Sequence, residues 1–290
     1  MVFGASGLLG RSMMRAFEDW KVTGTSFRRK GQGLVTVDAT STDDVLNALS
    51  RFEPDVVINC VGERRPEAWA NAPVRAHELN VEAARLIAEA ARQHGASLLH
   101  ISSDYVFDGT APPYRVDARR NPMTAYGQWK LLAEDAVRRA CPEAVILRLP
   151  VLYGPVEYAA ETNLTQIARQ VGSGEPAELD DVCVRYPTHV DEAAEVCRWL
   201  AAQSKGQYLG SVAHWSAEHG FTKYRMGLMI AQHFGIAPDH IKAGAASGDR
   251  PADCRLDCLD LRAALGWPVD HYRTFADEFP QAVAPWVRTA

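Results

Sequence analysis

Apolar runs and helical periodicities alternate through the first half of the chain. Residues 55–60 (DVVINC), 98–102 (LLHIS) and 144–149 (AVILRL) are short and almost uninterrupted. Runs of that length predict strands buried on both faces of a parallel sheet. Between them lie amphipathic stretches. Residues 41–52 start from a Ser/Thr cap with acids in the first turn, and 80–93 (NVEAARLIAEAARQ) close at Gly95. After Trp129, the residues Leu131, Leu132, Ala136 and Val137 recur at helical spacing. The opening residues (MVFGASGLLGRSMM) predict a very short strand, a glycine turn and a helix, and residues 21–26 and 34–38 predict two further strands. Regular strand–helix alternation predicts a Rossmann-like, doubly wound parallel α/β sheet.

Beyond Pro155 the rhythm changes. Helices are expected over 162–172, 191–202, 222–234 and 260–265, a strand over 207–216, and irregular chain over 174–181. Residues 1–155 therefore form the expected sheet domain, with 184–215 returning to it. Residues 156–183 and 216–290 are expected to build a smaller C-terminal lobe over the carboxyl edge of the sheet, leaving a substrate cleft between.

Composition narrows the classes. With 290 residues, 47% of them hydrophobic, the chain can bury a large core. A formal charge of −5 without any block of like charges argues against nucleic-acid binding. The six cysteines (Cys60, Cys141, Cys183, Cys197, Cys254, Cys258) are scattered, and Cys254 and Cys258 lack the partners of a zinc site. Reduced thiols, no bound metal, no apolar run of membrane-spanning length and no leader-like N-terminus lead to the expectation of a cytoplasmic protein.

Two stretches carry chemistry. Gly4, Gly7 and Gly10 follow the first strand and open a helix. Glycine lets the backbone turn tightly and approach a pyrophosphate, which then sits at the positive end of the helix. The second strand runs into Phe27-Arg28-Arg29-Lys30 with no acid at its end. That basic run is either a solvated turn or a site for the 2′-phosphate of NADP, and the upstream glycines favour NADP. Asp38-Ala39 ends the next strand where adenine would lie, and Val61-Gly62 is small enough for a ligand to rest against. Glu63-Arg64-Arg65 follows, in a loop that is either ordinary polar surface or part of the site. The second stretch holds Ser103, Tyr126 and Lys130. Tyr126 and Lys130 are four apart and share a helix face. An ammonium beside the phenol is expected to lower its pKa and make it a proton donor or acceptor near neutrality, with Ser103 aimed at the same point.

Taken together, GASGLLG, SSDYVFDG, YGQWK and RLPVLYGP resemble, in order and spacing, the extended short-chain dehydrogenase/reductases. SSDYVFDG, PTHVDEAA and RPADCRLD are similar to the dTDP-4-dehydrorhamnose reductase group. NCVGERRPE, SSDYVFDGTAPPYR and HWSAEHGFTKYRMG resemble the regulatory beta subunits of methionine adenosyltransferase more closely still. The resemblance implies Tyr126 as proton donor, Lys130 on the nicotinamide ribose and Ser103 on the carbonyl. It implies NADP as cofactor, held by Gly4, Ser6, Gly7, Leu8, Leu9 and Gly10 at the pyrophosphate and by Arg28 and Arg29 at the 2′-phosphate. Asp38 and Ala39 would meet adenine. Cys60, Val61, Gly62, Asn80, Ser102, Pro150 and Val151 would border the ribose and nicotinamide. Glu63, Arg64, Arg65, Asp104, Val106 and Arg250 are the substrate candidates. Ser103 stands where sugar reductases of the group usually have threonine, which keeps the hydroxyl. Glu63-Arg64-Arg65 and Trp129 depart from the group's pattern and bear on the substrate. The leading expectation is an NADPH-dependent reductase of the 4-keto group of a nucleotide-linked deoxysugar. The alternatives are an NADP-binding regulatory subunit partnered with a methionine adenosyltransferase, touching it through residues 286–290, and a reductase of another small ketone.

Overall fold

In the computed structural model, residues 1–29, 31–65, 70–203, 206–246, 248–268 and 271–287 are described. Lys30 and the last three residues of the 286–290 tail lie outside them. The strands in chain order are Val2–Phe3 (β1), Gly24–Ser26 (β2), Val35–Thr36 (β3), Val56–Asn59 (β4), Ser97–Ser103 (β5), Val145–Leu149 (β6), Leu152–Tyr153 (β7), Ala177–Asp180 (β8), Thr188–His189 (β9), Val212–His214 (β10) and Ile241–Gly244 (β11). Seven form one sheet in the order β10-β6-β5-β4-β1-β2-β3, every neighbouring pair parallel. The order reverses beside β1, between β4 and β2. In open parallel sheets the crevice at that reversal, outside the carboxyl ends of the strands, is where ligands settle.

Both faces are covered, which is why β4, β5 and β6 are apolar without alternation. The helices are Leu8–Ala16 (α1), Thr42–Phe52 (α2), Pro73–His77 (α3), Ala83–Gln93 (α4), Ala125–Ala140 (α5), Asn163–Ser173 (α6), Val190–Ala202 (α7), Lys223–Phe234 (α8), Leu259–Leu265 (α9) and Phe275–Val287 (α10). On one face Leu9 and Met13 of α1 pack with Val190, Val196 and Leu200 of α7. On the other, Val45 and Leu49 of α2, Ile87 and Ala91 of α4, and Ala133 and Val137 of α5 fill the space against Val57 and Leu98. Side-chain caps start several helices where the sequence places them: Ser41, Thr124, Thr162 and Thr222 each accept a backbone N–H of the first turn.

A third core, Leu164, Ile167, Val171, Met226, Ile230, Phe275, Phe279 and Val283, forms the C-terminal lobe. The sequence reading needs five corrections. Residues 177–180 are not irregular: β8 pairs in parallel with the distant β11, and that partner makes it a strand. The strand expected over 207–216 shortens to β10, because residues 206–210 turn back and Gly210, at φ 67°, donates to the Glu143 carbonyl. Helix α10 has no counterpart in the sequence pattern, which Pro280 and Pro285 interrupt. It forms because Phe275, Phe279, Val283 and Val287, each four apart, press one face onto the lobe core. The helix expected from residue 80 begins at Pro73 and passes a π-helical turn, Glu78–Glu82, before α4. Helix α9 is also less separate than expected, because Leu261 packs with Trp215 in the sheet core.

Candidate active site

The glycine turn is built for close approach. Gly4 has φ 80°, and a Cβ there would stand 3.1 Å from the Cys60 backbone. A Cβ at Gly10 would overlap the Gly4 carbonyl oxygen at 2.2 Å. Only glycine permits α1 to start this near β1 and β4. Gly7 caps α1 without a side-chain bond, so no side chain caps the first backbone N–H groups of the helix. Ser6, Gly7, Leu8, Leu9 and Gly10 all line that cleft, which has a volume of about 870 Å³ and runs to Tyr126 and Lys130. Glycine positions that exclude side chains, an open helix N-terminus and a long cleft fit an elongated pyrophosphate-bearing ligand such as a nicotinamide dinucleotide.

Arg28 and Arg29 also line the cleft. A Cβ on Gly7 would lie 3.8 Å from Nη2 of Arg29, so this guanidinium hangs over the turn. Asp38 lines the cleft and accepts from the Thr40 backbone and hydroxyl at 2.9 and 2.7 Å. Ala39 beneath it is buried in the core.

Gly127 brings the reactive groups together. A Cβ on it would come within 2.1 Å of the Tyr105 carbonyl oxygen, so α5 begins in contact with the turn after β5. This sets the Tyr126 ring edge-on to Tyr105 at 6.1 Å, with its hydroxyl hydrogen-bonded to Ser103. Lys130 lies under them, buried, and its ammonium donates to the Ile101 carbonyl at 2.8 Å. Electrostatics correct the sequence reading at this point. Burial, with Asp104 adding to it, pushes the Tyr126 phenol up to about 12 rather than down, against the pull of Ser103 and Arg64. Burial also lowers the Lys130 ammonium to about 8. At neutral pH the phenol keeps its proton, the state a proton donor needs.

Asp104 is the other unusual group. It is buried, accepts from the Ser103 hydroxyl at 3.0 Å, and burial raises it to about 7 against the pull of the Arg185 cation. A carboxyl whose folded pKa exceeds its unfolded one stabilises the fold fully only below the unfolded value, and that stability is lost as pH rises to about 7. Asp104→Asn, which keeps an acceptor for Ser103, is therefore expected to gain on the order of 3 kcal/mol over wild type between pH 4 and pH 8. Urea unfolding at both pH values measures this, and an equal effect at the two would contradict it.

Behind Lys130, one helical turn on, Glu134 is held by Arg148 of β6 through two bonds of 2.9 and 2.8 Å. Ser102 donates to Glu134 at 2.5 Å and Arg120 at 3.1 Å. Arg148 also reaches the Val116 carbonyl and Nε2 of His214, each at 3.1 Å. Glu134 and Arg148 were not singled out from the sequence, although an arginine inside the apolar run of β6 is a signal that demands a buried partner.

Most of the remaining candidates converge on the cleft. Cys60, Val61, Gly62, Glu63, Arg64, Arg65, Ser102, Ser103, Asp104, Pro150, Val151 and Arg250 line it. Arg65 pairs with Glu63 through bonds of 2.9 and 2.5 Å, giving the loop internal order. Four assigned residues do not line the cleft, Ala39 in the core among them. Gly4 shapes the turn. Asn80, in the π-helical turn, accepts from the Glu63 backbone at 3.0 Å and donates to its carbonyl at 3.2 Å, holding the loop rather than lining the cleft. Val106 is fully buried with Phe107 and Tyr114, facing away from the cleft because the turn after β5 directs it into a separate core. Tyr105, Tyr158, Glu161 and Asn163 line the cleft without any sequence signal, being brought there by the lobe and the turn.

Comparison with known proteins places this geometry. Residues 1–284 match the family described as the RmlD substrate binding domain. The methionine adenosyltransferase 2 subunit beta of Bos taurus is 38% identical over 269 residues, 90% of this chain and 80% of that protein. A Streptomyces antibioticus protein named as a probable dTDP-4,6-dihydroxy-2-methyloxan-3-one 4-ketoreductase is 36% identical over 156 residues, 53% of this chain and 51% of its own. The crystal structure of dTDP-4-dehydrorhamnose reductase from Bacillus anthracis in complex with NADP has a TM-score of 0.82 at 19% identity, covering 98% of both chains. At that identity the likeness speaks for the fold. The chain thus belongs to the RmlD substrate-binding-domain family and has the Rossmann-like fold of the extended short-chain dehydrogenase/reductases.

Proposed function

We propose that the protein is an NADPH-dependent reductase of a 4-keto group on a nucleotide-linked deoxysugar. The observation that carries this reading is the convergence of the Ser103 and Tyr126 hydroxyls on the cleft floor, with Lys130 beneath. The glycine turn, Arg28 and Arg29 would hold the dinucleotide, and Lys130 the ribose next to the nicotinamide. When bound, a reduced nicotinamide supplies the two electrons and the hydrogen that a carbonyl carbon accepts. Ser103 would then orient the carbonyl oxygen, and Tyr126 would give it the proton held at its phenol oxygen. Arg64 and Arg250, both on the cleft wall, suit the phosphates of a nucleotide sugar, which guanidinium groups bind in bidentate fashion. Support also comes from the ketoreductase named among the relatives.

A second reading has its own support. Identity of 38% across 90% of this chain to a subunit named as part of methionine adenosyltransferase 2 favours a dinucleotide-binding regulatory role with a synthetase as partner. A panel separates the two. Turnover with NADPH on dTDP-linked 4-keto-6-deoxyhexoses, well above that on simple ketones, is expected for the reductase. Absence of turnover together with co-elution with a methionine adenosyltransferase catalytic subunit would favour the regulatory role.

A further inference from the structure

Glu161 lies in the short 3-10 turn Ala159–Glu161 that enters α6, and its side chain is only 3% exposed. Arg11 of α1 grips it with both terminal nitrogens, at 2.9 and 2.8 Å, while also donating to the Ser6 carbonyl at 2.9 Å. The Glu157 backbone donates to it at 2.8 Å. Arg29 donates to the same carboxylate at 3.2 Å and lies 5.7 Å from the Tyr158 ring. One lobe carboxylate is thus shared between a cation fixed to the glycine turn and a cation poised over it. The two ties differ. Arg11 is mostly buried and doubly bonded to the carboxylate, whereas the Arg29 side chain is 43% exposed, makes one longer bond to it and a 3.5 Å bond to the Tyr158 hydroxyl. Arg29 is therefore the exchangeable partner.

Resting on the dinucleotide reading of the cleft, we propose that Glu161 is a specificity-determining residue: it competes with the 2′-phosphate of the cofactor for Arg29, and surrenders Arg29 when that phosphate arrives. A phosphate dianion offers the guanidinium more charge and bidentate geometry than a carboxylate already occupied by Arg11. NAD lacks the group that makes the exchange. The segment 157–163 would then respond to one dinucleotide and not the other. Because Thr162 caps α6 and both Thr162 and Asn163 line the cleft, that response reaches the lobe's side of the site.

Binding of NADP+ and NAD+ measured by calorimetry on wild type, Glu161→Gln, Arg29→Ala and the double variant tests this without turnover. Glutamine keeps an acceptor for Arg11 but removes the competing charge. The preference for NADP+ over NAD+ is expected to rise about tenfold in Glu161→Gln, and the effect to vanish when Arg29 is alanine. A second measurement needs no variant: 2′,5′-ADP is expected to change amide exchange over residues 157–163 of wild type, and 5′-ADP to leave it as it was. An unchanged or lowered preference in Glu161→Gln, or the same exchange with both nucleotides, would overturn the proposal while leaving the cofactor reading intact. Failure of wild type to bind either dinucleotide would overturn that reading, and this inference with it.

Discussion

Replacing Tyr126 by phenylalanine is expected to lower carbonyl reduction by about a thousandfold while NADPH still binds. The phenyl ring keeps the packing against Tyr105, and Lys130 keeps its own bond to the Ile101 carbonyl, so the site's shape survives. What is lost is the proton source and, with it, the hydrogen bond to Ser103. The raised phenol pKa sharpens the expectation. A group that holds its proton to about 12 stays a donor across the physiological range, so the wild-type rate of reduction is expected to show no limb from this residue below pH 9. Stopped-flow and steady-state rates with tryptophan-quenching titrations of NADPH separate the two effects. A variant that turns over at even a tenth of the wild-type rate would remove Tyr126 from the role.

The second large effect is expected just beneath the cleft. Arg148→Met is expected to cost about 3–5 kcal/mol of stability, because it strands the buried Glu134 carboxylate and withdraws the donor from the Val116 carbonyl and His214. Ser102 and Arg120 remain to Glu134 but do not replace a bidentate partner. A partial rescue in the Arg148→Met, Glu134→Leu double variant is expected, since the cost lies in the unpaired charge more than in the missing attraction. Glu134 and Lys130 share a face of α5, so the surviving folded fraction of the single variant is also expected to bind NADPH more weakly. Denaturant unfolding gives the stabilities, and a loss below about 1 kcal/mol for the single variant would refute a structural role for the pair.

Much of this is legible in the sequence. Parallel strands buried on both faces announce themselves as apolar runs, and β4, β5 and β6 all lie where those runs fall. Capped helices with acidic first turns, such as α2, are local events and were read within a residue or so. The glycine turn was readable because its spacing encodes close approach. What could not be read depends on partners distant in sequence. Strand β8 exists through β11, and α10 through the lobe core that outweighs its two prolines. Within the site the same division holds. The positions of Ser103, Tyr126 and Lys130 follow from a strand end and a helix face. The sign of the Tyr126 shift does not, because burial and the nearby Asp104 carboxyl outweigh the pull of Ser103 and Arg64 only once the chain has folded around them. Val106 departs from expectation for a related reason: Asp104 and Tyr105 before it face the cleft, but the short turn Asp104–Val106 rotates it, with Phe107, into the core.

The most direct test of the central claim follows the hydrogen itself. With NADPH deuterated at the transferable position of the nicotinamide and a dTDP-linked 4-keto-6-deoxyhexose, mass spectrometry and NMR of the product report where the label goes. Reduction by this protein is expected to place one deuterium on the former carbonyl carbon of the sugar, and Tyr126→Phe to abolish that transfer. Tight binding of the labelled cofactor with no deuterium in the sugar would contradict the reductase reading and leave the regulatory-subunit reading in its place.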